Sequence, residues 1–425
     1  MNSYLIHFIT STDSVSLQLL GPDTYKLEEC KLVKDLRTVS SFKKSNANTF
    51  AIVVSDSLKS LYLQLQNKYS KAFPRFRAAV SLLNNTPNGK LFVVSFNENL
   101  DNLKYKYLCA VIEELEGGRS RQEIMQEFYD LYGDAIKHYN YISAEDKEIL
   151  RIGPQDRKKR RCRYCGKMMP ETTFRNDSHS ISEALGNKVY FTNDECDECN
   201  SHFGSGDGIE ADFIAMISPC LTVYGIKGKK RIPTFKCPKF RLDYDKNHIS
   251  PYPVIVTTTG STEVADNQKD SFYQAKKTYI PQNAYRALCK YAIGMLPSEY
   301  VPMFAKTIEW INGIFTEECL PEVMMRFTNE VFQQPLLTIA IRKDQNKDIP
   351  FAFAEFKVVN MCFVYILPFV NNEEYPPKDN ERYVRWWQLL KYYHSESWNK
   401  IDLSKSTSVE LTFNFKFHKH VSTKS

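Results

Sequence analysis

Along the first third of the chain, short apolar runs alternate with segments of helical periodicity. Phe50-Ala51-Ile52-Val53-Val54 and Leu91-Phe92-Val93-Val94-Ser95-Phe96 have the length and β-branched content of strands. Between them Leu58, Leu61, Tyr62, Leu65 and Tyr69 recur at the spacing of one helix face, which predicts a strand–helix–strand unit. A helix over 103–116 stops at Gly117-Gly118, and Ser120-Arg121-Gln122-Glu123 reads as a capping box that starts the next one. The opening residues, through Phe8, lack the basic region and long apolar core of a signal peptide and read as a strand. After about residue 240 the pattern changes. Residues 285–296 and 301–314 look like an amphipathic helix pair. Strands then dominate: Leu336 to Ile341 and Phe351 to Phe356 are joined through a polar loop at 343–348 as a hairpin, and Met361 to Leu367 follows. Near the end Val409, Leu411, Phe413, Phe415 and Phe417 alternate with polar residues, the period-two signature of a sheet with one buried face. These patterns predict a multi-domain α+β protein: an α/β domain over 1–150, a central segment over 155–235, and a helix-plus-antiparallel-sheet domain over 240–425.

With 425 residues, 43% of them hydrophobic and 25% charged, the chain is long enough for two or three domains with real cores. No apolar run is long enough for a transmembrane helix. A net charge of +6 points only weakly to nucleic acid. Seven of the eleven cysteines (Cys30, Cys109, Cys220, Cys237, Cys289, Cys319 and Cys362) are scattered through apolar patterns, as small buried hydrophobes in a reducing cytoplasm. Neither strand of the first segment is followed by a glycine-rich phosphate loop, which argues against a nucleotide site there.

The remaining four cysteines carry the chemistry. Cys162/Cys165 and Cys196/Cys199 form two Cys-x-x-Cys pairs separated by thirty residues, a spacing that closes a tetrahedral structural zinc site. Gly166 permits the tight turn of the first pair, and the second sits at a helix start that Asp194 or Asn193 can cap. The intervening segment holds one histidine, His179, and Asn200 directly follows the last cysteine. A neutral imidazole can take a proton from water, and an amide oxygen can ligate a hard cation such as Mg²⁺ or Mn²⁺. Basic residues flank the segment: Arg157, Lys158, Lys159, Arg160, Arg161 and Arg163 before it, and Lys227, Lys229, Lys230 and Arg231 after it. Such runs are commonly solvated linkers; beside the cysteine pair they are candidates for phosphate contact.

The motifs Cys162-x-x-Cys165, Ser178-His179-Ser180-Ile181-Ser182-Glu183-Ala184-Leu185-Gly186, Cys196-Asp197-Glu198-Cys199-Asn200 and the trailing Phe203-Gly204 with Ile209-Glu210 resemble the HNH, or ββα-metal, endonucleases. The resemblance is to their zinc-stapled branch, met in bacterial restriction and antiphage systems, and covers Cys162 to about Glu210. It implies a central ββα-metal module with His179 as general base, Asn200 as a catalytic divalent-metal ligand, and either Asn187 (favoured) or Asn193 as the asparagine supporting the loop. It further implies a partner, double-stranded DNA, and a regulatory protein or self-association to restrain a toxic activity. The pattern departs from the family at two places: Ser178 stands where an acidic residue or histidine provides the other metal ligand, and Ser182 replaces a common proline. Asp177, Glu183, His202 or Glu210 could supply the missing ligand, though His202 is better placed for the surface and Glu210 for a salt bridge to the knuckle. The competing reading is a non-catalytic zinc module that binds nucleic acid or scaffolds a complex.

Overall fold

The computed structural model describes residues 2–21, 26–39, 49–70, 72–73, 76–96, 102–143, 149–245, 254–258, 271–370, 373 and 381–417. The chain forms two compact units, residues 1–137 and 138–425.

In the first unit, β1 (Asn2–Ile9), β2 (Ser14–Gly21), β3 (Thr49–Val53) and β4 (Leu91–Phe96) form a sheet of order β2-β1-β4-β3. Every neighbouring pair is antiparallel. The helices are α1 (Lys31–Val39), α2 (Asp56–Tyr69), α3 (Phe76–Asn85), α4 (Asn102–Leu115) and α5 (Arg121–His138). The predicted strand–helix–strand unit thus holds two helices, α2 and α3, and returns antiparallel beside its first strand. Leu58, Tyr62, Leu65 and Tyr69 of α2 turn inward onto Phe8, Phe76 and Phe92, whereas Leu61 faces solvent. The capping box closes as read: the Ser120 amide donates to the Glu123 carboxylate (3.1 Å) and the Glu123 amide to the Ser120 hydroxyl (3.3 Å).

The second unit begins with β5 (Tyr139–Ser143) and β6 (Leu150–Ile152), followed by β7 (Tyr190–Thr192), α6 (Asp197–Gly204) and α7 (Ile209–Val223). Next come β8 (Phe235–Lys236), β9 (Phe240–Tyr244), β10 (Val254–Thr258), β11 (Ser271–Tyr279), α8 (Pro281–Met295) and α9 (Ala305–Ile311). It ends with β12 (Val323–Arg342), β13 (Ala352–Ile366), α10 (Glu381–Leu389), β14 (Asn399–Ile401) and β15 (Val409–Phe417). The expected hairpin is the long β12–β13 pair, and Met361 to Leu367 continues β13 instead of forming a strand of its own. β5 pairs with β12, so residues 139–143 belong to this sheet and not to the first unit. β15 pairs with β11, and over 409–416 its odd-numbered residues are half-buried and its even-numbered ones exposed.

Helix α8 lies at the centre. All but one of its fifteen residues are buried, and its apolar side chains share one core with Cys162, Tyr164, Ile181 and Phe203 of the central segment and with Phe356, Phe363 and Tyr365 of β13. The segments at 155–235 and 240–425 are therefore packed around common apolar surface. Of the seven cysteines expected to be buried, Cys319 is exposed and Cys220 and Cys237 are half-buried; the other four are buried. Trp386 is fully buried.

Candidate active site

The zinc knuckle is shaped by backbone hydrogen bonds before any metal is considered. The Cys162 amide donates to the Lys167 carbonyl and the Gly166 amide to the Cys162 carbonyl, both at 2.8 Å. Gly166 sits at φ 73°, the left-handed region that such a turn needs and glycine tolerates. Cys196 is the N-cap residue of α6 and Cys199 lies in its first turn. No side chain caps this helix. Asp194 instead pairs with Arg163, and the Asn193 amide group donates to the Gly153 carbonyl, so neither is free for the capping role expected of them. All four Sγ atoms lie within 4.8 Å of one another, and Cys165 and Cys196 are 3.7 Å apart. Tetrahedral zinc with Zn–S near 2.3 Å requires sulfur pairs about 3.8 Å apart, so the four-cysteine cluster fits structural zinc. Its electrostatics fit too: a hydrogen bond between the two sulfurs pushes the Cys199 thiol far up and holds Cys162 down. A cation is what allows all four to ionise together.

His179 stands on an extended segment that returns through a turn against β7. It bridges Phe191 of β7, flanked by Ser180 N to Tyr190 O (3.0 Å) and Thr192 N to Ser178 O (2.9 Å). In this non-hydrogen-bonded pair the side chains are close, and the imidazole packs on the Phe191 ring at 4.6 Å. Asn187 fills this turn. Its amide donates to the carbonyls of Ile181 (2.7 Å) and Tyr190 (2.9 Å), and its oxygen accepts from the amides of Val189 and Tyr190. Gly186 has φ 95°, and a Cβ there would fall 2.5 Å from the Gln333 carbonyl of β12, so only glycine fits. Helix α6 then presents Asn200 to this hairpin: the Ser178 hydroxyl donates to Asn200 Oδ1 at 3.1 Å.

This arrangement carries the sequence signal of a known family. Residues 162–214 match the HNH endonuclease family model. None of the curated proteins and none of the solved structures compared with the chain matches it.

Within the HNH segment the imidazole is half-buried, and burial first, then the nearby Lys188 and Lys290 ammonium groups, push its pKa below the ordinary histidine value against the opposing pull of Glu183 and Asp177. Its Nε2 lies 3.7 Å from Glu183 Oε2, and its buried Nδ1 has no hydrogen-bond partner among the described residues. The carboxylates that could replace a missing ligand at Ser178 are each engaged. Arg151 clamps Asp177 with two bonds of 2.9 Å, Lys188 holds Glu183 at 2.8 Å, and Lys290 holds Glu210 at 3.0 Å and Glu195 at 3.4 Å. Glu210 thus pairs with α8 and not with the knuckle, and His202 is exposed. Apart from the four cysteines, no group of three or more His, Cys, Asp or Glu residues is placed to hold a metal among the described residues. The chain neighbour of His179, Ser178, contributes a hydroxyl that meets the amide oxygen of Asn200. The Ser178 hydroxyl is turned to the Asn200 amide oxygen as a donor, and of the two only the amide oxygen is a ligand that a hard divalent cation readily takes.

The basic residues divide. Arg163 is buried and structural: it pairs with Asp194 at 2.7 Å and donates to the carbonyls of Ile293 (2.6 Å) and Leu296 (3.1 Å), which removes it from any phosphate surface. Arg160 and Arg161 are tied to the backbone carbonyls of Pro154, Gln155 and Gly166. Arg157, Lys158 and Lys159 are exposed, with Arg157 against the Arg175 carbonyl. On the other side Gly228 packs on Ala184 and accepts from Lys188, which brings exposed Lys227, Lys229, Lys230 and Arg231 beside the Glu183 turn.

Sequence reasoning missed Arg151, Glu195, Lys290 and Gln334. Gln334 donates to Asn187 Oδ1 (3.2 Å) and accepts from the Lys188 amide (3.0 Å), so β12 locks the turn that Asn187 fills. These residues lie outside the motifs or look like ordinary charged positions within them. A lysine inside the otherwise apolar stretch 287–296 was the one available signal.

Proposed function

We propose that the chain is a metal-dependent endonuclease that hydrolyses phosphodiester bonds of DNA, with His179 as general base and Asn200 as the ligand of a catalytic Mg²⁺ or Mn²⁺. The observation that carries this reading is a half-buried histidine that follows Ser178, itself bonded to Asn200 at the start of α6, within a segment matching the HNH endonuclease family. His179 takes a proton from a water molecule as its oxygen bonds to phosphorus, and the bond to the departing sugar oxygen breaks on the opposite side. A divalent ion at Asn200, when bound, supplies positive charge to the phosphate and the leaving oxygen. Asn187 holds the hairpin in register, so the imidazole meets the phosphate in one orientation. Arg157, Lys158 and Lys159 on one side and Lys229, Lys230 and Arg231 on the other bind the DNA backbone without reading sequence. We further infer a role in bacterial antiphage defence or restriction, with the first unit and the β12–β13 region as regulatory or partner-binding parts.

Purified protein with Mg²⁺ or Mn²⁺ nicks or degrades plasmid, and His179→Ala abolishes cleavage while zinc content and thermal unfolding stay unchanged. Equal cleavage by His179→Ala overturns the assignment. A second reading, a non-catalytic zinc module that binds nucleic acid, is favoured by one observation: Ser178 is a poor metal ligand and the surrounding carboxylates are already paired. DNA binding with no cleavage under either metal supports that reading. For the defence role, expression in a bacterial host reduces phage plating, and loss of this protection in His179→Ala ties it to the nuclease.

A further inference from the structure

Lys290 is one of the least expected residues of helix α8. Its side chain is 2% exposed in a helix whose other buried positions are mostly apolar, and its ammonium has three N–H donors to satisfy. Three oxygens surround it: Glu210 Oε1, which accepts a hydrogen bond at 3.0 Å, Glu195 Oε2, an ionic partner at 3.4 Å, and the main-chain carbonyl of His179, which accepts at 3.2 Å. The third contact is specific. In the bridge between His179 and Phe191, the ladder bonds are made by Ser178 and Ser180, so the carbonyl of His179 points away from β7 and toward α8. A buried carbonyl there needs a donor, and Lys290 supplies it. The neighbouring contacts all run to the same helix: the Tyr164 hydroxyl donates to the Lys290 carbonyl (3.1 Å), Thr192 to the Gly294 carbonyl (3.0 Å), and Ser180 lies against Gly294 so closely that a Cβ would come within 3.1 Å.

We propose that Lys290 is a positioning residue of the nuclease site: it fixes the peptide from which the His179 imidazole hangs, and helix α8, outside the segment matched to the family, is thereby part of the catalytic apparatus. This inference rests on the reading of His179 as the base. A purely neutralising role for Lys290, as counter-ion to Glu195 and Glu210, makes a different prediction, because it does not need the bond to His179.

The test compares Lys290→Met with the triple variant Lys290→Met/Glu195→Gln/Glu210→Gln, which removes the buried carboxylate charges along with the ammonium and so keeps a folded protein to measure if the single variant does not fold. In the triple variant, zinc content and DNA affinity stay at the wild-type level while the cleavage rate at saturating DNA falls, on the order of 10²-fold, as expected for a misplaced catalytic group. Histidine ring signals in ¹⁵N-labelled protein, with that of His179 assigned by His179→Gln, shift or broaden in the same variant. A triple variant with wild-type rate and an unmoved His179 signal overturns the proposal. If the wild type itself cleaves nothing, the nuclease reading fails, and the His179 ring signal alone then decides whether Lys290 places that side chain.

Discussion

The His179 hairpin is held by two devices of opposite character. One is the four-cysteine cluster, which ties the Cys162 knuckle to the start of α6; the other is the buried group of Glu195, Glu210 and Lys290. The cluster is local, uses one repeated residue type at fixed spacing, and would draw its strength from a single ion. The ionic group gathers residues far apart in the chain and works only because each charge has a partner. Desolvating three charged side chains is expensive, and their mutual attraction offsets that cost without a large surplus. Zinc in the cluster would therefore supply stability, whereas the ionic group bears on geometry: its ammonium reaches the main chain of His179.

Removing the metal separates the two devices most strongly. Structural zinc in small modules contributes an apparent binding free energy of about 10–16 kcal/mol at neutral pH, and its loss is coupled to unfolding. Chelation, or Cys199→Ser, is expected to release zinc, unfold the segment around 162–204 and abolish DNA cleavage together. Zinc measured by emission spectrometry, with hydrogen exchange of the amides of α6, checks this. A fully active, zinc-free Cys199→Ser protein contradicts the structural role.

The ionic group gives the next largest effect. Lys290→Met leaves two carboxylates buried without a counter-ion, at a cost of about 3–5 kcal/mol. Adding Glu195→Gln and Glu210→Gln removes that imbalance and should restore most of the lost stability in denaturant unfolding. If the single and triple variants are equally unstable, the three residues do not act as one ionic unit.

These two devices also mark what the chain discloses in advance. Cys-x-x-Cys pairs are legible because metal geometry imposes the spacing on consecutive residues, and Asn187 and Gly186 are legible because a tight turn requires their types. Lys290 is not, since a lysine in an apolar helix signals burial with an unknown partner, and the partners are set by how α8 packs. The same limit applies to Arg163. In sequence it extends the basic run of 157–161; in the fold its guanidinium turns inward to Asp194 and the carbonyls that end α8. Strands β3 and β4 were visible as apolar runs, but their antiparallel pairing depends on contacts that hydrophobic periodicity does not encode.

In the proposed nuclease the basic residues lie outside the hairpin and act on affinity, not on placement. Replacing exposed Arg157, Lys158 and Lys159 by alanine should weaken DNA binding equally for unrelated sequences. Each phosphate left without its cation should flatten the dependence of log affinity on log salt by about 0.9. Arg163→Ala should instead lower stability, since it strands buried Asp194, and binding titrations across a salt series separate the two outcomes.

The smallest effect concerns the protonation of His179, and its sign is fixed by the charges around the ring. Burial, helped by Lys188 and Lys290, holds the imidazole pKa below its usual value, while Glu183 and Asp177 pull it up. A general base works in its neutral form, so cleavage should persist below the ordinary histidine pKa and fall only as pH drops through the lowered one. Glu183→Gln removes an anion 3.7 Å from Nε2, which should lower the pKa further and move the acid limb of the rate profile to lower pH. Lys188→Met removes a cation that acts on the ring directly and also pairs with Glu183, so the limb should move to higher pH. The two variants therefore displace one titration in opposite directions. Shifts of the same sign, or none, would mean that a group other than His179 sets the acid limb of catalysis.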